Sequence, residues 1–332
     1  MSEPQQETCV ERVRIADVRG AAQRIAGVAR RTPLLRVSSP SGRGTIGLKC
    51  ENLQRGGAFK LRGAYNFIAR LPEESRAGGV ITYSSGNHGR AVALAARELG
   101  IAAAVVVPVD APRVKVDGIR RLGAEVHAEG TTSLERQRRA ERIASERGMT
   151  IVPPFDHPDI IAGQGTVGLE IVEDWPEVGR VVAPIGGGGL LAGVAAAVKE
   201  LRPRAEIVGV EPVGAASMRR SLDAGEPVQL ESATSVADGL KPVRPGALTF
   251  AHIRELVEDV ILVEDDEILN ALAWCAEEAR LLVEPSGAAS VAALLAGHLT
   301  EAEVPTVFVI SGGNVDPRDW ARWVGERTMS AA

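Results

Sequence analysis

Short apolar, β-branched runs alternate along this chain with stretches whose apolar residues recur every three or four positions. Val80–Tyr83, Ala103–Val107, Glu125–Ala128, Thr150–Val152, Arg180–Ala183, Glu206–Val210 and Thr306–Ile310 read as strands. Between them Leu61, Ala64, Tyr65, Ile68 and Leu71 share one helical face, as do Val92, Ala95, Ala96 and Leu99, and Leu191, Val194, Ala195 and Val198. This rhythm predicts an α/β fold with mostly parallel sheets covered by helices on both faces. Val181–Val198 carries no charge over 18 residues, but five glycines and a proline divide it into strand, loop and helix, which excludes a membrane span. Arg202–Arg204 and Lys241–Pro245 read as proline-bearing turns, and no repeat or low-complexity tract is present.

The chain has 332 residues, enough at about 100–200 residues per domain for two domains or one large one. Hydrophobic residues make up 45% and aromatics only 3%, so the core must be built from Val, Leu, Ile and Ala. The net charge of −5 argues against a nucleic-acid partner, and the Arg30-Arg31 and Arg219-Arg220 pairs are diluted by acids. Cys9, Cys50 and Cys275 are odd in number and far apart, which argues against a disulfide scaffold or cysteine zinc site and suits a reducing, cytoplasmic compartment. The five histidines form no HExxH pair. The polar start MSEPQQETCVERVR lacks the apolar core of a signal peptide.

Four segments of unusual composition fall at or near strand ends, where open α/β sheets place their chemistry. In GAFKLRGAY (57–65), Lys60 follows a glycine-rich bend and opens a helix. A cation there is disfavoured by the helix dipole and, if buried, by desolvation. Both lower its pKa and make the amine a nucleophile able to form a Schiff base. In PIGGGGLLAG (184–193), Gly186, Gly187, Gly188 and Gly189 clear side chains from a helix N-terminus and suggest a phosphate cradle. Gly187, Gly189 and Ala192 also satisfy GxGxxA, with Glu211 ending the next strand, which taken alone would suggest a nicotinamide enzyme. In SSGNHG (84–89), Ser84, Ser85 and Asn87 form a donor cluster suited to a small carboxylate, beyond what simple capping needs. Ser311 in ISGGNVD either caps a turn or turns its hydroxyl to a buried heterocycle. One ligand unites the four. Pyridoxal phosphate offers an aldehyde to Lys60, a phosphate to Gly186–Gly189, a ring O3′ to Asn87 and a pyridine nitrogen to Ser311. The carboxylate of a bound amino acid would fall to residues 84–89.

Eight ordered motifs, ENLQRGGAFKLRGAYN, SSGNHG, PPFD, IAGQGTVGLE, PIGGGGLLAG, VADGL, EPSGAA and SGGN, run from about Arg31 to Asp316. In them the chain resembles the threonine/serine dehydratase branch of the fold-type II pyridoxal-phosphate enzymes, a branch that also includes serine racemase. The resemblance implies a two-domain, tryptophan-synthase-β-like fold. Residues 1–72 and 153–332 would form the large cofactor-binding domain and residues 73–152 a small α/β domain. It implies dehydration and deamination of L-threonine, L-serine or a related β-hydroxy amino acid to a 2-oxo acid and ammonia. Lys60 would bond the cofactor and take the α-proton, with Ser85 on the opposite face. Ser84, Ser85, Asn87 and His88 would line the substrate carboxylate. Phe59, Lys60, Asn87, Gly186, Gly187, Gly188, Gly189 and Ser311 would hold the cofactor.

The alternatives are a serine racemase using Lys60 and Ser85 as opposed proton carriers, a 3-hydroxyaspartate dehydratase, a catalytically silent binding homologue and, most distant, a nicotinamide dehydrogenase. Phe155-Asp156 leans toward the dehydratase, since racemase relatives tend to carry asparagine there. Arg90 stands where glutamine is frequent and would favour a second substrate carboxylate if it faced the site. Ala58 stands where many members have serine. Cation-binding members resemble Glu211 and Ala215 but carry aspartate where Ser217 stands, so a mono- or divalent cation site at Glu211, Ala215 and Ser217 is weakened. The resemblance further implies a homodimer or homotetramer without membrane contact. On this reading no C-terminal regulatory domain of the family's kind is expected after the catalytic segment.

Overall fold

The computed structural model describes residues 12–42, 44–84, 86–111, 113–300 and 304–328. Its strands are β1 (Leu34–Ser38), β2 (Thr45–Cys50), β3 (Val80–Thr82), β4 (Ala103–Val107), β5 (Glu125–Ala128), β6 (Thr150–Ile151), β7 (Arg180–Pro184), β8 (Glu206–Pro212), β9 (Asp259–Val263) and β10 (Thr306–Ile310). They form two sheets, one ordered β1-β2-β10-β7-β8-β9 and one ordered β5-β4-β3-β6. Every pairing is parallel except β1 with β2. The chain enters the larger sheet, crosses to build the smaller one from residues 80–151, and returns to complete the larger.

Strands covered on both faces must be apolar throughout, and β10 (TVFVI) is buried at every position. Its residues divide by alternation. Val307 and Val309 join the core under the Pro158–Asp174 and Gly189–Leu201 helices. Phe308 and Ile310 join the core beneath the Asp265–Glu278 and Pro285–Leu295 helices. The scarcity of aromatics is met by close backbone approach. A Cβ on Gly163 would lie 2.5 Å from Gly63 Cα, and one on Gly193 would lie 2.5 Å from Gly165 N. The Pro158–Asp174 helix therefore packs against the Lys60–Arg70 and Gly189–Leu201 helices with almost no side chain between them.

Three strands lie outside the seven that periodicity predicts: β1, β2 and β9. In β2 (TIGLKC) a fully buried lysine interrupts the apolar run. Lys49 donates to Thr32 O at 2.7 Å and pairs with Glu170 at 2.7 Å, so its burial depends on partners distant in sequence. The 181–198 stretch divides as expected into β7, a glycine loop and a helix. Among the described residues no helix is long and apolar enough to cross a membrane.

Candidate active site

Lys60 is the first residue of the Lys60–Arg70 helix, entered through Gly56 and Gly57, both with φ +81°. The segment before it is stitched to the end of β10. Phe59 N–H donates to Ser311 O at 3.1 Å, and Ala58 forms a bridge with Gly312. The Lys60 amine donates to Pro154 O at 2.7 Å and sits 5.1 Å from the centre of the Phe59 ring. Burial lowers its pKa from 10.5 to about 8, so near pH 8 about half of the amines are neutral.

The residue after Pro154 closes the gap to the glycine loop. A Cβ on Gly187 would overlap the Phe155 ring, and one on Gly189 would come within 3.0 Å of Phe155 Cβ. Gly188 has φ +94° and caps the Gly189–Leu201 helix, and Thr249 Oγ1 donates to Gly187 O at 2.7 Å. The loop thus presents the first-turn N–H groups of a helix, which lack intrahelical partners, with positive helix-end potential. Asp156 is engaged by the neighbouring helix. Its carboxylate accepts the N–H groups of Ala247, Leu248 and Thr249 and caps the Ala247–Leu256 helix.

Asn87 and His88 open the Asn87–Leu99 helix after β3. His88 is 3% exposed, and burial and the nearby Lys60 lower its pKa to about 3. The ring is therefore neutral, and its Nε2–H is engaged by Val152 O at 3.0 Å. Ser84 is half-buried and accepts from Gly86 N–H at 3.4 Å. A Cβ on Gly89 would overlap Ser84 O, so glycine is required there. Ser85 lies outside the described residues. Ser311 is 3% exposed at the end of β10, its hydroxyl making only a long 3.3 Å bond to Ser286 O.

Sequence reasoning missed Glu284, although it belongs to the EPSGAA motif. Glu284 is buried and accepts the Asn87 amide at 2.6 Å. Burial raises its carboxyl to about 7. Nothing in the sequence pairs positions 197 apart, and the one signal was an acid placed just before a helical proline. Arg90 is exposed and donates to Asn314 Oδ1 at 3.2 Å, so it is engaged with a neighbouring side chain at the site's edge.

The cation candidates lie elsewhere, at the end of β8. Both oxygens of buried Glu211 accept main-chain N–H groups, from Met218 at 2.9 Å and Arg219 at 2.8 Å. Ala215 and Ser217 are buried nearby, and Ser217 Oγ has no hydrogen-bond partner among the described residues. No group of three or more His, Cys, Asp or Glu capable of holding a metal occurs among the described residues. One carboxylate already occupied by amides does not fit a divalent cation, which wants several oxygens.

The residues around Lys60 do fit pyridoxal phosphate. They combine an amine eased toward neutrality, a glycine loop at a helix N-terminus and a buried serine hydroxyl with a weak partner. A nicotinamide site is not favoured, since the GxGxxA glycines share their pocket with Phe155 and, through Pro154, with Lys60.

A family model described as "Pyridoxal-phosphate dependent enzyme" matches residues 25–312. The chain is 46% identical over 271 residues to the L-threonine ammonia-lyase of Geobacter sulfurreducens, covering 82% of this chain and 67% of that one. It is 42% identical over 306 residues to the L-threonine ammonia-lyase of Thermotoga maritima, covering 92% and 76%. Its structure is similar to that of maize serine racemase, with a TM-score of 0.90, 38% identity and coverage of 97% and 99%.

Proposed function

The chain belongs to the pyridoxal-phosphate-dependent enzymes, with their two-domain fold-type II architecture, and from that premise we propose how its residues deaminate L-threonine, L-serine or a related β-hydroxy amino acid. The observation that carries the proposal is the Lys60 amine, half-buried at a helix N-terminus, bonded to Pro154 O next to the Phe155 that packs on the glycine loop, and held below its ordinary pKa by desolvation. When bound, pyridoxal phosphate supplies an aldehyde for covalent capture of amines and a ring that withdraws electrons from the substrate α-carbon.

The chain's own residues do the rest. Lys60 would hold the cofactor's aldehyde carbon and, as a free amine, would take the proton from the substrate α-carbon. The N–H groups of Gly186, Gly187, Gly188 and Gly189 hold the phosphate. Ser311 would offer the cofactor's pyridine nitrogen a neutral hydroxyl, which carries no charge to keep that nitrogen protonated. A neutral ring would be a weaker electron sink, which would favour loss of the β-hydroxyl over transamination. Ser84 and the main-chain N–H groups opening the Asn87–Leu99 helix, that of Asn87 among them, would receive the substrate carboxylate. His88 adds no charge there, being neutral, and anchors that helix to Val152. Phe59 and Phe155 wall the site, and Ser85 is proposed as the residue opposite Lys60. Residues 73–152 are proposed as the small domain and the remainder as the large one. A cytoplasmic homodimer or homotetramer completes the proposal on resemblance alone, and sedimentation of the purified protein tests it.

The second reading is serine racemization, favoured by the likeness to maize serine racemase. Asp156 does not separate the two, because its carboxylate is spent on the Ala247–Leu256 helix. The 3-hydroxyaspartate reading needs Arg90 in the substrate pocket, whereas Arg90 binds Asn314. Incubation with L-threonine and L-serine, with 2-oxo acid, ammonia and D-serine all quantified, decides between them. Oxo acid and ammonia in equal amounts are expected, and their loss in Lys60→Ala. Inversion without oxo acid would overturn the lyase reading. Turnover surviving in Lys60→Ala would overturn the assignment of the base.

A further inference from the structure

Four polar side chains lie in line from the exposed face to the interior of the site. Arg90 Nη1 donates to Asn314 Oδ1 at 3.2 Å. Asn314 Nδ2 donates to Gly56 O at 2.7 Å and to Asn87 Oδ1 at 2.8 Å. Asn87 Nδ2 donates to Glu284 Oε1 at 2.6 Å. The direction of this chain is fixed at Asn314. A guanidinium has only donors, and the Gly56 carbonyl only accepts, so the Asn314 amide has a single orientation that satisfies both. Two glycines make room for it. A Cβ on Gly57 would overlap Asn314 Oδ1, and one on Gly312 would overlap Glu284 Oε1.

We propose that Asn314, steadied by Arg90, is a positioning residue that orients Asn87 so that its one remaining hydrogen-bonding group toward the cofactor is an N–H donor. Asn87 Oδ1 is taken by Asn314 and one amide hydrogen by Glu284, which leaves the second hydrogen. That hydrogen is matched by an acceptor oxygen, so the arrangement favours the cofactor's ring oxygen as an anion over its protonated form. Glutamine at position 90, the residue frequent in the family, both donates and accepts and would not impose this direction from its end. Arginine does.

The inference rests on the cofactor reading above, and the test separates the two. Asn314→Ala, Asn314→Asp, Arg90→Met and Arg90→Lys are prepared beside the parent holoenzyme. Two quantities are measured: the dissociation constant for pyridoxal phosphate, and the ratio of the two cofactor absorption bands that report anionic and protonated ring oxygen. Loss of one charge-assisted or buried hydrogen bond is worth about tenfold. Asn314→Ala and Asn314→Asp are expected to weaken cofactor binding about tenfold and move the band ratio toward the protonated form. Arg90→Met is expected to do so by a few fold, and Arg90→Lys, also donor-only, to restore the parent ratio. Arg90 is exposed, so its variants remain informative should the Asn314 variants fail to fold. Parent protein that takes up no pyridoxal phosphate would remove the underlying reading. Parent protein that takes it up, with Arg90→Met and Asn314→Ala unchanged in both readouts, would overturn the inference alone.

Discussion

Replacing Glu284 with glutamine isolates the charge of the one carboxyl buried in the site. Glu284 is 8% exposed. Burial raises its pKa from 4.5 to about 7, against the opposing pull of the Asn87 amide and the Lys115 ammonium. A raised value in the folded state means that the native protein holds this proton more tightly than the unfolded chain does. The stability so contributed is fully present below pH 4.5 and is lost as the pH rises through about 7. One pKa unit corresponds to about 1.4 kcal/mol, so the loss across the window amounts to about 3 kcal/mol. Glutamine keeps an oxygen for the Asn87 amide and never ionises. Urea unfolding of cofactor-free parent and Glu284→Gln protein, at intervals through this pH range, gives the difference directly. We expect the variant to gain about 3 kcal/mol relative to the parent between pH 4.5 and 7, and nothing further above. Glu211, also raised by burial to about 7, is common to both proteins and cancels. Stability curves that stay parallel over this range would refute the reasoning, because Glu284 would then ionise in the folded protein as easily as in water.

Other perturbations test the remaining supports of the site. Arg62, two positions after Lys60, is fully buried and divides its N–H groups among Glu51, Glu170, Thr166 and Arg30 O. Arg62→Met strands the fully buried Glu51 and should cost about 3–5 kcal/mol in urea unfolding, and a loss below about 1 kcal/mol would contradict that account. Gly187→Ala drives a methyl into the Phe155 ring and should weaken pyridoxal-phosphate binding at least about tenfold in an absorbance titration, where unchanged affinity would show that the ring yields freely. The rate at which cofactor-free protein captures pyridoxal phosphate should rise with pH around a midpoint near 8, and a midpoint at the ordinary lysine value would mean that Lys60 is solvated.

The sequence disclosed the parts of this fold and site that depend on local pattern. After their first residues, Arg180 and Thr306, β7 and β10 are continuous apolar runs because helices cover both their faces. The glycine loop and Lys60 announce themselves through composition at a helix start. What stayed hidden depends on partners distant in the chain. Lys49 broke the pattern of β2 because its counter-charge, Glu170, lies on another element. Asp156 also caps a helix some ninety positions later, a role that local pattern did not disclose. Arg90 offered a choice between substrate and solvent, and the structure gives it Asn314. Glu284 was visible only as a letter in a motif until Asn87 was found against it.

The claim on which the account depends is that the Lys60 amine forms the covalent attachment to pyridoxal phosphate. Borohydride reduction of the loaded protein, followed by proteolysis and mass spectrometry, measures this at single-residue resolution. A pyridoxyl-phosphate adduct on the peptide containing Lys60, absent from Lys60→Ala, is the predicted result. An adduct on another lysine, or none on a protein that visibly holds the cofactor, would contradict it.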